Sequence, residues 1–270
     1  LGSWPEGGPA LVWKTDRVGR GYSSPIIVED TLYITGDVGE DHLVFAFNLD
    51  GTLKWKTTNG RVWEKPWGGA RTSCTYDDGR LYQMNAHGRV VCLDPNDGKE
   101  IWSVNILERF GAKNITWAVS ECLVIDRDRL IVTPGGPKTF MAALDKGSGE
   151  TVWTTDPIRF TRTFRPGNKP VDSPHKDTDK AGYASPILFQ CGSRRLVAGC
   201  AGLHHFLVDA DAGELIWTQY IRAGWEVIAN MPIVYRDSII FSSARTGCER
   251  FRLSPRPGRL EPEKLWETRV

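Results

Sequence analysis

The chain has 270 residues, 40% of them apolar and 25% charged, with a net charge of +1. That balance describes a globular chain with no electrostatic bias toward nucleic acid. No apolar run approaches the roughly 18 residues of a membrane-spanning helix, and the length admits one large all-β domain or two ordinary ones.

In chain order, residues 10–15 around Trp13 read as an isolated outer strand. Five units then follow, over about 22–57, 69–104, 116–155, 182–220 and 229–268. Each contains four short runs of alternating or β-branched residues between turn residues, as in SPIIVED, TLYITGD, HLVFAFN and TLKWKTT. This is the strand signal, and no segment carries ten residues of helical period. The stretch 156–181, rich in Pro, Lys, Arg and Asp, reads as an inserted loop without strand pattern.

One phrase recurs: DPNDGKEIW at 94–102, DKGSGETVW at 145–153 and DADAGELIW at 209–217. Gly precedes Trp by four in these copies and in the first (Gly51–Trp55, Gly98–Trp102, Gly149–Trp153, Gly213–Trp217). Asp94, Asp145 and Asp209 stand four before the Gly; in the first copy Asn48 stands three before it. Asp folds back on turn amides, and Gly supplies positive φ. Trp13 and Trp266 follow similar apolar residues without the Gly. The six Trp are spaced by 42, 47, 51, 64 and 49 residues, the length of a four-stranded propeller blade. Each indole is expected to wedge between successive blades, worth on the order of 2–3 kcal/mol from area alone.

The repeat resembles the tryptophan-docking motif AxDxxTGxxxW of the pyrroloquinoline quinone (PQQ)-like β-propellers, carried here by Ala143, Asp145, Gly149 and Trp153 with Ser148 in the Thr place. Cys92, Asp94, Gly98 and Trp102, and Asp209, Gly213 and Trp217, repeat it. GYSSP at 21–25 and GYASP at 182–186 are similar to blade starts of that family. The expected fold is therefore an all-β propeller of four-stranded antiparallel blades. About five are present as a single domain, cut at its C-terminus from a six- to eight-bladed ring; a five-bladed ring with 10–15 added at an edge is the alternative. Leu1 in place of Met suggests a processed or partial chain.

The family contains quinoprotein dehydrogenases and non-catalytic scaffolds such as the outer-membrane assembly lipoprotein. For the dehydrogenases the resemblance implies eight blades, PQQ, calcium, a ring of adjacent cysteines and a catalytic Asp. The six cysteines here (74, 92, 122, 191, 200, 248) include no adjacent pair. A hairpin turning at Gly192–Ser193 would hold Cys191 and Cys200 too far apart for a disulfide. Buried thiols are the expected state.

Segments leading into the innermost strands of a propeller crowd its channel. They carry Arg20, Tyr22 and Ser23; Trp63, Trp67 and Arg71; Asn114, Trp117 and Glu121; Tyr183 and Ser185; and Trp225, Glu226 and Asn230. These side chains could hold a polar or carbohydrate-like ligand or simply pack the channel wall. No metal ligands are assigned. Asp172, His175, Asp177 and Asp179 read as a solvated loop. His204 and His205 would point to opposite faces of a strand, GDVGED lacks the calcium-loop pattern, and TPGGPK precedes no helix. No GxSxG occurs, and no catalytic residue is nominated. The sequence-level expectation is a periplasmic or surface scaffold for a protein, peptide or glycan, with a PQQ- and calcium-dependent oxidoreductase as the alternative.

Overall fold

The computed structural model describes residues 4–165, 169–221, 225, 227–243, 247–256 and 259–268. Its architecture is all-β: five four-stranded antiparallel sheets, each a meander in chain order. The first contains β1 (Ile26–Val28), β2 (Thr31–Val38), β3 (Asp41–Asn48) and β4 (Leu53–Arg61). The second contains β5 (Thr75–Asp77), β6 (Arg80–Met84), β7 (Arg89–Leu93) and β8 (Glu100–Asn105). A single-turn helix, α1 (Ile106–Arg109), follows. The third contains β9 (Val124–Asp126), β10 (Arg129–Val132), β11 (Ala142–Asp145) and β12 (Thr151–Thr154). After a two-stranded hairpin, β13 (Arg159–Arg165) and β14 (Lys169–Thr178), comes the fourth: β15 (Ile187–Cys191), β16 (Arg194–Cys200), β17 (His204–Asp209) and β18 (Leu215–Tyr220). The fifth contains β19 (Ile233–Tyr235), β20 (Ser238–Ser243), β21 (Gly247–Arg256) and β22 (Arg259–Thr268). The sheets form a partial propeller.

The core lies in slabs between sheets. Val44, Ala46 and Trp55 of the first sheet meet Leu81, Val91 and Leu93 of the second. Tyr82, Val90 and Cys92 face Leu130, Val132 and Leu144. Ile131, Ala143 and Trp153 face Val197, Phe206 and Val208, and Leu196, Ala198 and Leu207 face Ile239, Phe241 and Phe251. Third strands such as β3 are buried on both faces, which explains their unbroken apolar runs.

Three of the repeat tryptophans make the same joint. Trp55 Nε1 donates to Pro95 O at 2.9 Å, Trp102 Nε1 to Lys146 O at 3.1 Å, and Trp153 Nε1 to Ala210 O at 3.2 Å. In every case the acceptor is the residue after the turn Asp of the next sheet. Trp13 Nε1 donates to Leu49 O at 2.7 Å in the same way. The turn is tied by its Asp: Asp145 Oδ1 accepts from the Gly147 and Ser148 amides, and Asp209 Oδ1 from those of Asp211 and Ala212.

A bulge sets the indole. Trp55 pairs with Ala46, but Phe47 pairs with Leu53, so Lys54 is extra. Ile101, Val152, Ile216 and Leu265 are skipped in the same place in the other four sheets. A bulge increases local twist and re-aims the neighbouring side chain, here the Trp immediately after it.

The glycine is required for φ and for closeness. Gly98 has φ 72°, and a Cβ there would lie 2.5 Å from Trp55 Cε3. Gly98→Ala is therefore expected to cost roughly 2 kcal/mol or more, from left-handed strain and a displaced ring. Urea unfolding checks this: a midpoint equal to that of the unaltered chain would show that the turn is free to relax.

Two expectations require correction. Residues 156–181 are not a strandless loop, because 159–178 forms the β13–β14 hairpin, registered from Arg159↔Thr178 to Arg165↔Lys169 with a bulge after Arg162. Its base docks on the fourth sheet: Phe160 lies 5.2 Å from the His204 ring and 6.0 Å from Tyr220. Residues 10–15, expected to be isolated, are added to no sheet edge among the described residues, and Trp13 is held by the turn of the first sheet. Trp266 is not wedged like its counterparts and remains 40% exposed. Trp217 packs edge-on against Phe251 at 5.0 Å.

Candidate functional site

The β13–β14 hairpin and the segments leading into the second, third, fourth and fifth sheets line a cavity of about 1080 Å³. Its aromatic lining is Trp63, Trp117, Tyr183 and Trp225. Its charged lining is Lys65, Arg162, Arg165, Asp172, His175, Asp177 and Lys180.

Trp117 and Tyr183 lie 5.7 Å apart at 40°. The Trp117 amide donates to Tyr183 Oη at 3.3 Å. Asn114 fixes the same segment by donating to Ala86 O and accepting from the Val119 amide. Ser120 Oγ donates to Tyr183 O, and the Cys122 amide donates to Ser185 Oγ. Trp63 is 4% exposed, and its Nε1 has no hydrogen-bond acceptor among the described residues. Lys65 Nζ sits 5.4 Å above the Trp63 ring and Arg71 Cζ sits 5.6 Å from it, within cation–π reach.

The hairpin charges are paired across its strands. Arg162 Nε lies 2.5 Å from Asp177 Oδ2, and Arg165 Nη2 lies 2.6 Å from Asp172 Oδ2. Burial works against the Asp177 charge, but the hydrogen bond from Arg162, the Thr178 amide and nearby positive charge outweigh it and lower its pKa. Asp179 at the hairpin base is buried: its Oδ2 lies 2.7 Å from His204 Nδ1 and accepts from the Leu203 amide at 2.9 Å. The acidic run is therefore a pinned base with two cross-strand pairs, not a wholly solvated loop.

The sequence candidates divide. Trp117, Tyr183, Trp225, Trp63 and Asn114 converge on the cavity. Arg71 lies behind it as a clamp, donating to the carbonyls of Trp117, Gly69 and Trp67; burial lowers its pKa. Arg20 is held through its backbone to Asp37 and Ala70. Tyr22 and Trp67 are exposed rings outside the cavity lining. Ser23 donates to Thr35 O, and Asn230 donates to Ser242 Oγ at 3.0 Å. Glu121 is buried and accepts from the Thr133 amide at 2.5 Å; burial pushes its carboxyl up to about 7. Glu226 lies outside the described residues. Sequence reasoning missed Lys65 and the hairpin residues. The signal was the alternation in RFTRTFR, where Phe160, Arg162 and Phe164 take the half-buried positions.

A second cluster joins the fourth and fifth sheets. Cys200 Sγ lies 3.4 Å from His205 Nδ1, His205 Nε2 lies 3.3 Å from Glu249 Oε2, and Lys264 Nζ lies 2.5 Å from Glu249 Oε1. The order resembles a nucleophile, base and acid. However, Cys200 is 3% exposed and burial pushes its thiol up to about 12, so little thiolate forms at neutral pH. Burial also lowers the His205 pKa, while the hydrogen bond from His205, joined by Lys264, holds Glu249 down at about 2. The cluster acts as a tether between sheets. His204 and His205 do face opposite ways, one to Asp179 and the other to Glu249.

A family model described as Outer membrane protein assembly factor BamB matches residues 56–254. The chain belongs to this family of BamB-like, PQQ-repeat β-propellers. It is similar to the crystal structure of BamB from Moraxella catarrhalis, at a TM-score of 0.66 and 14% identity, over 97% of this chain and 68% of that one. The quinohemoprotein alcohol dehydrogenase of Comamonas testosteroni gives a TM-score of 0.59 at 14% identity, over 92% of this chain and 46% of that one. These identities speak to the fold. The dehydrogenase subunit of a quinone alcohol dehydrogenase from Gluconacetobacter polyoxogenes is 28% identical over 174 residues, 59% of this chain and 22% of its own length. The chain thus spans about a fifth of that curated relative.

PQQ and calcium can be compared with the donor set present. Both carboxylates lining the cavity are engaged by arginines. No group of three or more His, Cys, Asp or Glu side chains among the described residues is placed to hold a metal. The cysteines include no adjacent pair. Calcium takes six to eight oxygens, several of them anionic, and these residues do not make that site.

Proposed function

We propose that this BamB-like propeller is a non-catalytic binding module, presenting its channel-side cavity to a protein, peptide or glycan in the periplasm or at the cell surface. The observation that carries the reading is the cavity itself: aromatic rings fixed by backbone hydrogen bonds, beside charges held in cross-strand ion pairs. Rigid rings with a few placed polar groups are what ligand sites require. A general acid or base needs a pKa near the working pH, and Asp177 is shifted away from it. The family description supports placement in the cell envelope. No helix among the described residues is long and apolar enough to cross a membrane.

The test is reconstitution. The purified protein is incubated with PQQ and calcium and assayed for dye-linked oxidation of ethanol and glucose. No turnover above the protein-free control is expected. Turnover that scales with protein concentration would overturn the reading in favour of a quinoprotein oxidoreductase.

A further inference from the structure

We infer that the β13 edge of the β13–β14 hairpin docks an extended segment of a partner protein, one that alternates carboxylate and apolar side chains; this rests on the binding-module reading above and names the partner's chemistry. The hairpin is a sheet of two strands, and no further strand pairs with either of them among the described residues. A strand at a sheet edge presents a row of backbone donors and acceptors to any strand added beside it. The two edges differ. β14 carries Pro170 and Pro174, which remove backbone donors and discourage strand addition. β13, RFTRTFR, carries no proline, so its edge is the one suited to accept a strand.

Charge selects the occupant. Arg159, Thr161, Thr163 and Arg165 take the exposed positions of β13, and Phe160, Arg162 and Phe164 the half-buried ones. On the exposed side Arg159 stands opposite Thr178, Thr161 opposite Lys176, and Arg165 opposite Lys169. Asp172 and Asp177 are the carboxylates in the sequence from 159 to 178, and they are engaged by Arg165 and Arg162. Arg159, Lys169 and Lys176 are exposed and meet no carboxylate among the described residues. Residues 166–168 are Pro, Gly and Asn and carry no charge. Lys176 Nζ donates to Thr161 Oγ1 at 3.2 Å, which keeps its charge on this face. A strand added beside β13 places alternate side chains next to Arg159, Thr161, Thr163 and Arg165, and the others next to Phe160, Arg162 and Phe164. Carboxylates suit the first set, and apolar side chains suit the phenylalanines of the second. A basic strand would be repelled, and a wholly apolar one would desolvate the arginines.

The experiment is fluorescence anisotropy with a labelled peptide that alternates Glu and Val over 7 residues, the length of β13. The comparisons are a peptide of the same composition with its Glu in one block, a peptide alternating Lys and Val, and co-sedimentation with anionic phospholipid vesicles. The alternating acidic peptide should bind most tightly and weaken about tenfold or more in high salt. Its binding should slow amide hydrogen exchange across residues 159–165. Arg159→Glu, at an exposed position, should weaken binding about tenfold with unchanged circular dichroism, and Arg159→Lys should retain it. The block or lysine peptide binding as tightly, vesicles alone binding, binding that leaves exchange in β13 unchanged, or no binding at all would overturn the strand-docking edge while leaving the binding module standing. Dye reduction after PQQ loading would instead overturn the module itself, so the two failures are separable.

Discussion

Replacing Trp55 with alanine will lower the free energy of unfolding by about 3–5 kcal/mol, the usual cost of emptying a large aromatic site. Trp266→Ala will cost less, about 1–2 kcal/mol, although both residues occupy the same place in the same repeat. The difference lies in what each ring touches. Trp55 is 9% exposed, lies over Gly98, donates to Pro95 O and packs 5.8 Å from Tyr33, whose hydroxyl donates to that same carbonyl. Its loss would open the slab between the first two sheets and leave the turn carbonyl with one donor fewer. Trp266 is 40% exposed, so truncation removes less buried surface than at Trp55, with no neighbouring turn to unpack among the described residues. Urea unfolding followed by far-ultraviolet circular dichroism separates the two. Equal losses would mean that the indole stabilises its own sheet, not the joint to the next one, and would undo the account of the repeat as an inter-sheet lock.

Propeller energetics sharpen this expectation. In a repeat architecture stability is close to a sum of units and nearest-neighbour interfaces. Removing one lock should therefore weaken one interface strongly and the distant ones little. The tether of Cys200, His205, Glu249 and Lys264 belongs to the joint between the fourth and fifth sheets, three interfaces away from Trp55. The two sites should behave additively.

The joint was legible in the sequence because it is local. Asp, Gly and Trp lie within nine residues, and their spacing encodes a side-chain-tied turn and a positive φ; the bulge that aims the ring is visible only in the strand register. The β13–β14 hairpin was not legible because its order comes from elsewhere. Pro170 and Pro174 interrupt the strand signal, and what holds the base is Phe160 against His204 and Tyr220 and Asp179 against His204, all contacts with the fourth sheet. That hairpin brings Arg162, Arg165, Asp172, His175 and Asp177 to the cavity, so its aromatic wall could be named from sequence and its charged wall could not. Glu121 illustrates the same limit. Its place before a strand suggested a channel-facing carboxylate, but its partner is the Thr133 amide across the sheet, which no local pattern announces.

Glu121 also sets the second large effect. Its carboxyl is 5% exposed and raised from 4.5 to about 7, chiefly by burial, with the hydrogen bond from Thr133 working against the rise. An acid whose folded pKa is raised binds more protons folded than unfolded between those two values. Stability contributed by this group is therefore full below about pH 4.5 and falls as pH climbs toward 7, with no further loss above. A rise of that size corresponds to about 3 kcal/mol. Glu121→Gln keeps an oxygen for the Thr133 amide and cannot ionise, so the variant should be the more stable protein at pH 8 by an amount of that order, while the two converge at pH 4.5. Glu249 and His205, whose pKa values are lowered, act in the opposite sense, losing stability as pH falls; they are common to both proteins and cancel in the difference. The measurement is the difference in urea midpoints across pH 4.5–8. Parallel curves would show that Glu121 reaches solvent. A widening gap would show that ionisation strains the segment whose neighbours Ser120 and Cys122 hold Tyr183 and Ser185, tying the wall of the cavity to the protonation of one buried carboxyl.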